Sequence, residues 1–256
     1  MGVNAVVLAG GKNGPEMRAA TGVENRALTP LGDTTMLGCV VAALSAAPPV
    51  GRVFVVGPVP LSGDYASVTG GETMLDNLMA GLAAAQADGG GMVLVSTSDI
   101  PFLTPASVED FVRQASASGA DLCFSYVPVE LCYAKYPQMK RTAIKVREGR
   151  LTLGNLFLIN PRFLIAHQTT ITQAYAARKS PFKVGRLLGW RLLARFLGAQ
   201  ALSPALLPVS RLEAGVGRLI GGGCRVSAIR SEFPEIGTDV DKPEDVAAAR
   251  ELLGTP

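Results

Sequence analysis

Apolar positions along the chain follow two rhythms. Short runs rich in valine, isoleucine and leucine at 4–8, 52–56, 92–97 and 122–127 read as buried strands. Between them, positions 34–47, 73–87 and 105–118 carry apolar residues at helical spacing. The punctuation agrees with this division. Pro48 and Pro49 stop the first helix, Gly57 and Pro58 end the second strand, and Thr104 with Pro105 supplies a cap and a first-turn proline for the third helix. Strand and helix alternating in this way are the signature of βαβ units on a mainly parallel sheet.

After residue 127 the alternation breaks. Runs at 145–147 and 156–159, joined by a polar, glycine-containing turn, predict an antiparallel hairpin. A helical stretch follows at 173–197, and a final helix within 239–253 has Pro243 in its first turn. No linker composition or repeat divides the chain, so the expectation is one domain over 1–256 with a basic helical insertion at 165–215.

Composition narrows the function classes. The 256 residues are 48% hydrophobic and 18% charged, as in a globular protein with a sizeable core. A net charge of +3 is too small to argue for nucleic acid by itself. The cysteines Cys39, Cys123, Cys132 and Cys224 have no CxxC spacing, and His167 is the single histidine, so neither a zinc site nor a disulfide framework is expected. Residues 1–10 lack a basic leader, and no apolar run approaches the roughly 20 residues needed to span a bilayer. The expected location is the cytoplasm. Charge is nevertheless uneven: between Glu148 and Glu213 no acid occurs, while Arg162, Arg178, Lys179, Lys183, Arg186, Arg191, Arg195 and Arg211 do.

The first candidate chemistry is where a strand empties into a glycine-rich loop, Leu8-Ala9-Gly10-Gly11-Lys12-Asn13-Gly14. Amides freed of side chains can face phosphate oxygens, with Lys12 or Arg18 neutralising their charge. The glycines can equally do no more than turn the chain. The loop lacks the Gly-Lys-Ser/Thr of a P-loop and the GxGxxG spacing. Asp99 follows the strand at 92–97, on the edge where open α/β sheets bind ligands, and a carboxylate there suits Mg²⁺ (or Mn²⁺) or caps the next turn. Asp239, ahead of the last helix, reads either as a ligand or, with Asp241, as a cap of that helix.

Read together, Leu8-Ala9-Gly10-Gly11, Asn25-Arg26-Ala27-Leu28, Ser98-Asp99-Ile100-Pro101-Phe102-Leu103-Thr104 and Asp239-Val240-Asp241-Lys242-Pro243-Glu244-Asp245 resemble the MobA-like NTP transferase family. The resemblance implies a three-layer, GT-A-like Rossmannoid fold, divalent-metal dependence, and transfer of NMP from an NTP with release of pyrophosphate. In the resemblance Leu8, Ala9, Gly10, Gly11 and Lys12 hold the nucleotide and Arg18 takes the loop arginine's place. Arg26 stands where the family has a phosphate-binding lysine; it keeps the charge and adds a bidentate fork. Asn77 stands where relatives contact the base with serine, Asp99 and Asp239 become metal ligands, and Asn155 stands where relatives hold the acceptor. The chain departs from the family's loop by an irregular spacer, Lys12 to Met17. Ala177-Arg178-Lys179-Ser180-Pro181 through Leu187-Leu188-Gly189-Trp190 and Pro234-Glu235-Ile236-Gly237 look like one bacterial branch of it.

Lys140 and Arg141, with Lys145 and Arg147 nearby, can hold an acceptor phosphate or serve as solvated strand-edge charges. No catalytic partner can be assigned to His167. The basic stretch fits a cap over the acceptor pocket or a homodimer contact, peripheral contact with anionic membrane through 178–198, or, least of the three, nucleic acid. On a wheel spanning 173–197 its apolar residues point all round. The expected function is nucleotidyl transfer to a phosphorylated small-molecule acceptor. The rival readings are an NDP-sugar glycosyltransferase and a non-catalytic nucleotide-sensing or membrane-docking module. Asp99 and Asp239 are expected to converge because both stand at strand-to-helix switches on one sheet edge.

Overall fold

Strand β1 (Val3–Leu8) alternates its side chains between two hydrophobic layers, Ala5 and Val7 on one face and Val6 on the other. Everything else is arranged around that strand. The computed structural model describes residues 2–61, 63–89, 91–177, 189–221 and 223–254. Parallel to β1 lie β4 (Val50–Val56) on one side and β6 (Val93–Thr97) on the other, and β5 (Ala66–Val68) extends the sheet beyond β4. A small antiparallel pair, β2 (Pro30–Leu31) and β3 (Thr34–Thr35), stands apart. Past β6, β9 (Gly149–Ile159) runs antiparallel to both β6 and β7 (Leu122–Pro128), β10 (Val226–Arg230) is parallel to β7, and β8 (Ile144–Val146) pairs with β9. The order across the sheet is β10-β7-β9-β6-β1-β4-β5.

Helices cover both faces. α2 (Met36–Ser45) and α4 (Pro105–Ser118) bury Leu37, Val40, Leu44, Val108 and Phe111 against one layer, and α3 (Met74–Gly89) buries Leu75, Met79 and Leu82 against the other. α4 starts as its sequence predicts: the Thr104 hydroxyl accepts from the Ser107 amide and the Ser107 hydroxyl accepts from the Thr104 amide, each at 3.2 Å. α1 (Pro15–Thr21) follows the glycine loop, and α5 (Val129–Lys135) follows β7. Between β9 and β10 come α6 (Pro161–Ala166), α7 (Gln168–Ala177), α8 (Trp190–Ala201) and α9 (Val209–Ile220), and α10 (Pro243–Leu252) closes the order.

The mainly parallel sheet and its hairpin agree with the expectation from sequence. Three details differ. β9 begins at Gly149 rather than 156, so Leu153-Gly154-Asn155 is mid-strand and not a turn. Gly154 belongs there because a side chain would lie 2.2 Å from Ser125 Oγ and 2.8 Å from Ile236. The described parts of the expected helix over 173–197 extend beyond it at both ends, α7 from Gln168 and α8 to Ala201; 178–188, with Arg178, Lys179, Lys183 and Arg186, lie outside the described residues. The short β5 and the helices α1, α5 and α9 had no counterpart in the sequence pattern.

Two glycines bring backbone close to the sheet's working end. Gly57 has φ +144°, and any side chain there would lie 2.6 Å from the Ala9 carbonyl. Within α3, a methyl at Gly81 would lie 2.4 Å from Val6 and 2.9 Å from Val56, so the helix rests directly on β1 and β4. Alanine is about 1 kcal/mol the better helix former, but overpacking a buried contact costs about 1–3 kcal/mol. Gly81→Ala is therefore expected to lower the urea midpoint; a raised midpoint would show that α3 can move off the sheet freely.

Candidate functional site

The strands β1, β4 and β6 end together, with Leu8 beside Val56 and beside Thr97. Their outgoing loops consequently share one edge, the carboxyl edge at which open α/β sheets bind ligands. The glycine loop is pinned there by its backbone: Ala9 donates to the Val56 carbonyl at 2.8 Å, Arg26 donates to the Gly11 carbonyl at 2.9 Å, and Asn13 donates to the Glu24 carbonyl at 2.7 Å. Asn25 accepts from the Ala27 amide and donates to the carbonyls of Ala9 and Pro58, which ties the loop to the turn carrying Arg26. The irregular spacer is thus anchored, with buried Asn13 bonded to the Val23 carbonyl and Thr29.

Two cavities flank this loop. One, of about 530 Å³, is bounded by Gly10, Lys12, Gly57, Val59, Gly71 and Asn77; the other, of about 590 Å³, by Gly11, Lys12, Asn25, Leu28 and Pro58 among others. Gly10 and Gly11 differ in kind. A side chain at Gly10 would lie 2.4 Å from the Asn77 amide nitrogen, whereas one at Gly11 would meet nothing nearer than the Arg26 Cβ at 4.0 Å. Gly11 therefore faces open space, as a loop that admits phosphate must. Asn77 is buried, and its carbonyl oxygen accepts from the Gly71 amide at 2.9 Å, so it braces two loops as well as bordering the cavity. Lys12 is exposed and paired with Glu24 at 3.4 Å. Arg18 lies exposed on α1 and borders neither cavity.

The acidic side of the site is crowded. Asp99 Oδ2 lies 3.2 Å from Arg26 Nη1, and the same nitrogen bonds Asp241. Asp239 pairs with Arg141, a side chain only 5% exposed, whose other amino group is 3.9 Å from Asp245. What brings residue 239 here is a backbone hydrogen bond: the Val240 amide donates to the Asp99 carbonyl at 2.8 Å. The expected convergence occurs, yet by a different route. β10 is not adjacent to β6, and Asp239 sits in the coil that crosses the sheet's end after a short turn, Pro234–Gly237. That turn is held by buried Glu235, which accepts from Thr104 Oγ1 and Lys135 Nζ, both at 3.0 Å.

Burial pushes the Asp239 carboxyl up to about 7, helped by the neighbouring Asp241 and Asp99 and opposed by Arg141. Asp239 and Asp241 do not cap α10; Asp245 does, accepting from the amides of Asp241 and Lys242 at 3.2 and 3.1 Å. One oxygen of Asp99, the Thr97 hydroxyl, and the Nε of Arg26 and of Arg141 are buried without hydrogen-bond partners. Among the described residues no group of three or more acidic, cysteine or histidine side chains has the spacing of a complete metal cage. Mg²⁺ asks for less, since one or two carboxylates suffice when phosphate oxygens and waters complete its shell. An orphaned Asp99 oxygen beside a mutually repelling Asp239 fits a divalent cation.

Beyond the acids opens a cavity of about 500 Å³, bordered by Lys140, Arg141, Thr152, Asn155, Asp239 and Lys242 among others. β9 builds its wall because β9 pairs with β6 only as far as Leu156, so that Leu151 to Asn155 run on past the end of β6 while β7 still holds Leu151 to Leu153 from the other side. Asn155 donates to the Ile236 carbonyl at 3.1 Å, so it also secures the crossing coil. Lys140 is exposed at the rim. Lys145 and Arg147 turn elsewhere, to Gln200 and Glu148. His167 stacks on Phe163, away from these cavities. Sequence reasoning passed over Thr97 and Glu235 as site residues, and read Asp241 as a helix cap and Asp245 as a charge in the last helix's first turn. The motif around Asp239 contained two of these, but only the fold shows which acid pairs, which caps and which stays open.

Comparison with known proteins accords with this arrangement. The profile of the MobA-like NTP transferase domain matches residues 5–183. A search of curated proteins finds no match. Among solved structures, the chain is similar to a hypothetical transferase from Thermus thermophilus at 34% identity and TM-score 0.80, over 96% of this chain and 100% of that one. It shares its fold with the 2-C-methyl-D-erythritol 4-phosphate cytidylyltransferase of Thermus thermophilus, at 17% identity and TM-score 0.56 over 100% of both chains. The same holds for a CMP:2-keto-3-deoxy-manno-octonic acid synthetase complexed with CTP, at 14% identity and TM-score 0.55 over 99% of this chain and 98% of the other. With its glycine loop at the end of β1 and most of its length matched by the profile, the chain belongs to the MobA-like NTP transferase family.

Proposed function

We propose that this protein transfers NMP from an NTP to a phosphorylated small-molecule acceptor, with a divalent cation bound by Asp99 and Asp239. One observation supports the reading: Asp239 and Asp241 border the cavity of Lys140 and Asn155, and Arg26, whose amide bonds the Gly11 carbonyl of the glycine loop, pairs with both Asp99 and Asp241. A nucleoside in the cavity of Gly57, Gly71 and Asn77 directs its phosphates along the loop amides toward Arg26. An acceptor phosphate in the second cavity approaches the α-phosphorus from the far side.

An oxygen of the acceptor phosphate forms the new P–O bond as the bond from the α-phosphorus to the bridging oxygen breaks, and pyrophosphate leaves. The acceptor is already anionic, so no general base is needed; position and electrostatics supply the rate. The cation, when bound, offsets charge developing on the phosphates. Arg26 and Arg141 hold the carboxylates in its absence, and Arg26 is placed to turn from Asp99 and Asp241 to incoming phosphate. Named activities among the structural relatives, a cytidylyltransferase and a synthetase complexed with CTP, support an NTP donor.

The direct test is pyrophosphate release from a panel of NTPs and phosphorylated acceptors with Mg²⁺ or Mn²⁺. Nucleotide binding without release would favour a sensing module, and turnover of NDP-sugars a glycosyltransferase. Asp99→Asn keeps the shape and removes the charge. It is expected to lower kcat/KM by about 10²–10³, the scale of losing one preorganised electrostatic contact, while the unfolding free energy changes by less than about 1 kcal/mol. Equal, modest losses in both would mark Asp99 as a structural partner of Arg26. Gly11→Val and Gly10→Val form a second test. The open position at Gly11 predicts an intact fold with nucleotide affinity reduced at least about tenfold. The Asn77 contact at Gly10 predicts a loss of stability of about 1–3 kcal/mol. Calorimetry with NTP and thermal melting distinguish the two; unaltered affinity in Gly11→Val would remove the loop from the site.

A further inference from the structure

The helices between β9 and β10 carry a surface that nucleotidyl transfer does not use. α8 turns Leu192 and Ala199 inward, onto Val146, Leu151, Leu207 and Val209. Opposite that buried line, at 100° per residue, stand Trp190 and Leu197, each 57% exposed. Beyond the helix end Leu202 is 85% exposed and Leu206 40%. The sidedness is clear on α8 itself, unlike on the wheel over 173–197, because the helix begins at Trp190.

Beside the apolar residues lies a basic hollow. Arg191 and Arg195 from α8, Arg211 and Arg218 from α9, and Leu192 border a cavity of about 250 Å³. Among the described residues none of these four arginines pairs with a carboxylate, and Arg195 donates only to the Leu206 carbonyl, at 3.3 Å. The acid nearest in sequence, Glu213, accepts from the Ala228 amide at 2.8 Å. Four guanidinium groups around one small space repel each other unless an anion stands among them.

The two features together select the partner. Nucleic acid would satisfy the arginines but leave Leu197 and Leu202 in water. A two-fold contact with a second copy would cover the leucines but set arginines against arginines. An anionic bilayer answers both, with headgroup phosphates for the guanidinium groups and a boundary region that suits tryptophan and leucine. We propose that the face formed by α8, the residues to Leu206, and α9 docks on anionic phospholipid, with headgroup phosphate in the four-arginine cavity and Trp190, Leu197, Leu202 and Leu206 in the headgroup–acyl boundary. The proposal stands independently of the reaction.

Trp190 is the sole tryptophan of the chain, so its emission reports this face directly. The full-length protein is mixed at low salt with vesicles of phosphatidylcholine alone or of phosphatidylcholine and phosphatidylglycerol in equal parts. Expected are co-sedimentation with the anionic vesicles only, a blue shift of Trp190 emission with shielding from an aqueous quencher, and loss of both as salt is raised. Arg191→Glu combined with Arg195→Glu is expected to weaken binding at least about 30-fold, from about 1 kcal/mol per surface charge. Leu202→Ser, at a position too exposed to affect folding, is expected to weaken it severalfold with an unchanged circular dichroism spectrum. Failure of the wild type to sediment with anionic vesicles overturns the proposal, as does sedimentation with unshifted Trp190 emission. It is equally overturned if inorganic phosphate or pyrophosphate reproduces the shift while vesicles do not, if duplex DNA displaces the protein from vesicles and binds in their place, or if the shift follows protein concentration alone.

Discussion

Like charges held at close quarters set the terms for the rest of this molecule. Asp99, Asp239, Asp241 and Asp245 meet at the end of the sheet, and Arg26 and Arg141 are the cations that make their company tolerable. Removing one partner from a buried pair costs about 3–5 kcal/mol, less here because Asp99 and Asp239 keep some exposure. The cluster is also held in place by supports from outside it. Glu235 fixes the turn before Asp239, Asn155 fixes the carbonyl of Ile236, and Val240 binds Asp99 through the backbone. A site with a vacant carboxylate oxygen and repelling neighbours is predisposed toward a cation, and the family to which the chain belongs gives that predisposition a chemical setting.

Much of this was legible in one sequence, for reasons that differ by element. The β-branched run of β1 and the Thr104-Pro105 start of α4 are local signals, and local signals survive into the fold. β9 was seen only from residue 156 because Gly154-Asn155 mimics a turn. The reason for that glycine, the approach of Ser125 and Ile236, lies in residues remote along the chain. β5 has three residues and is defined only by pairing with β4, so no periodicity announces it.

The site divides in the same way. Gly10, Gly11, Asp99 and Asp239 announced themselves through motifs, but their separate duties did not. Gly10 gives room to Asn77 while Gly11 leaves space open, a distinction that depends on α3 lying where it does. Arg141 was visible as a basic residue and turned out to be the buried counter-ion of Asp239, which no spacing rule connects across the intervening strands. Helix capping at α10 went to Asp245 for a geometric reason: its carboxylate sits one turn in and reaches back to the amides of Asp241 and Lys242.

The hydrogen bond from Val240 to the Asp99 carbonyl also says something about time. It joins positions separated by more than half the chain, and closing so long a loop has an entropic cost that grows with the logarithm of its length. Synthesis proceeds from the N-terminus, so β1, the glycine loop and β6 leave the ribosome well before residues 234–252 exist. During that interval Asp99 has no opposing acid. The carboxylate cluster is thus one of the last features to be completed, and a nascent chain can present a nucleotide-sized hollow while still unable to assemble the charges that would act on what enters it.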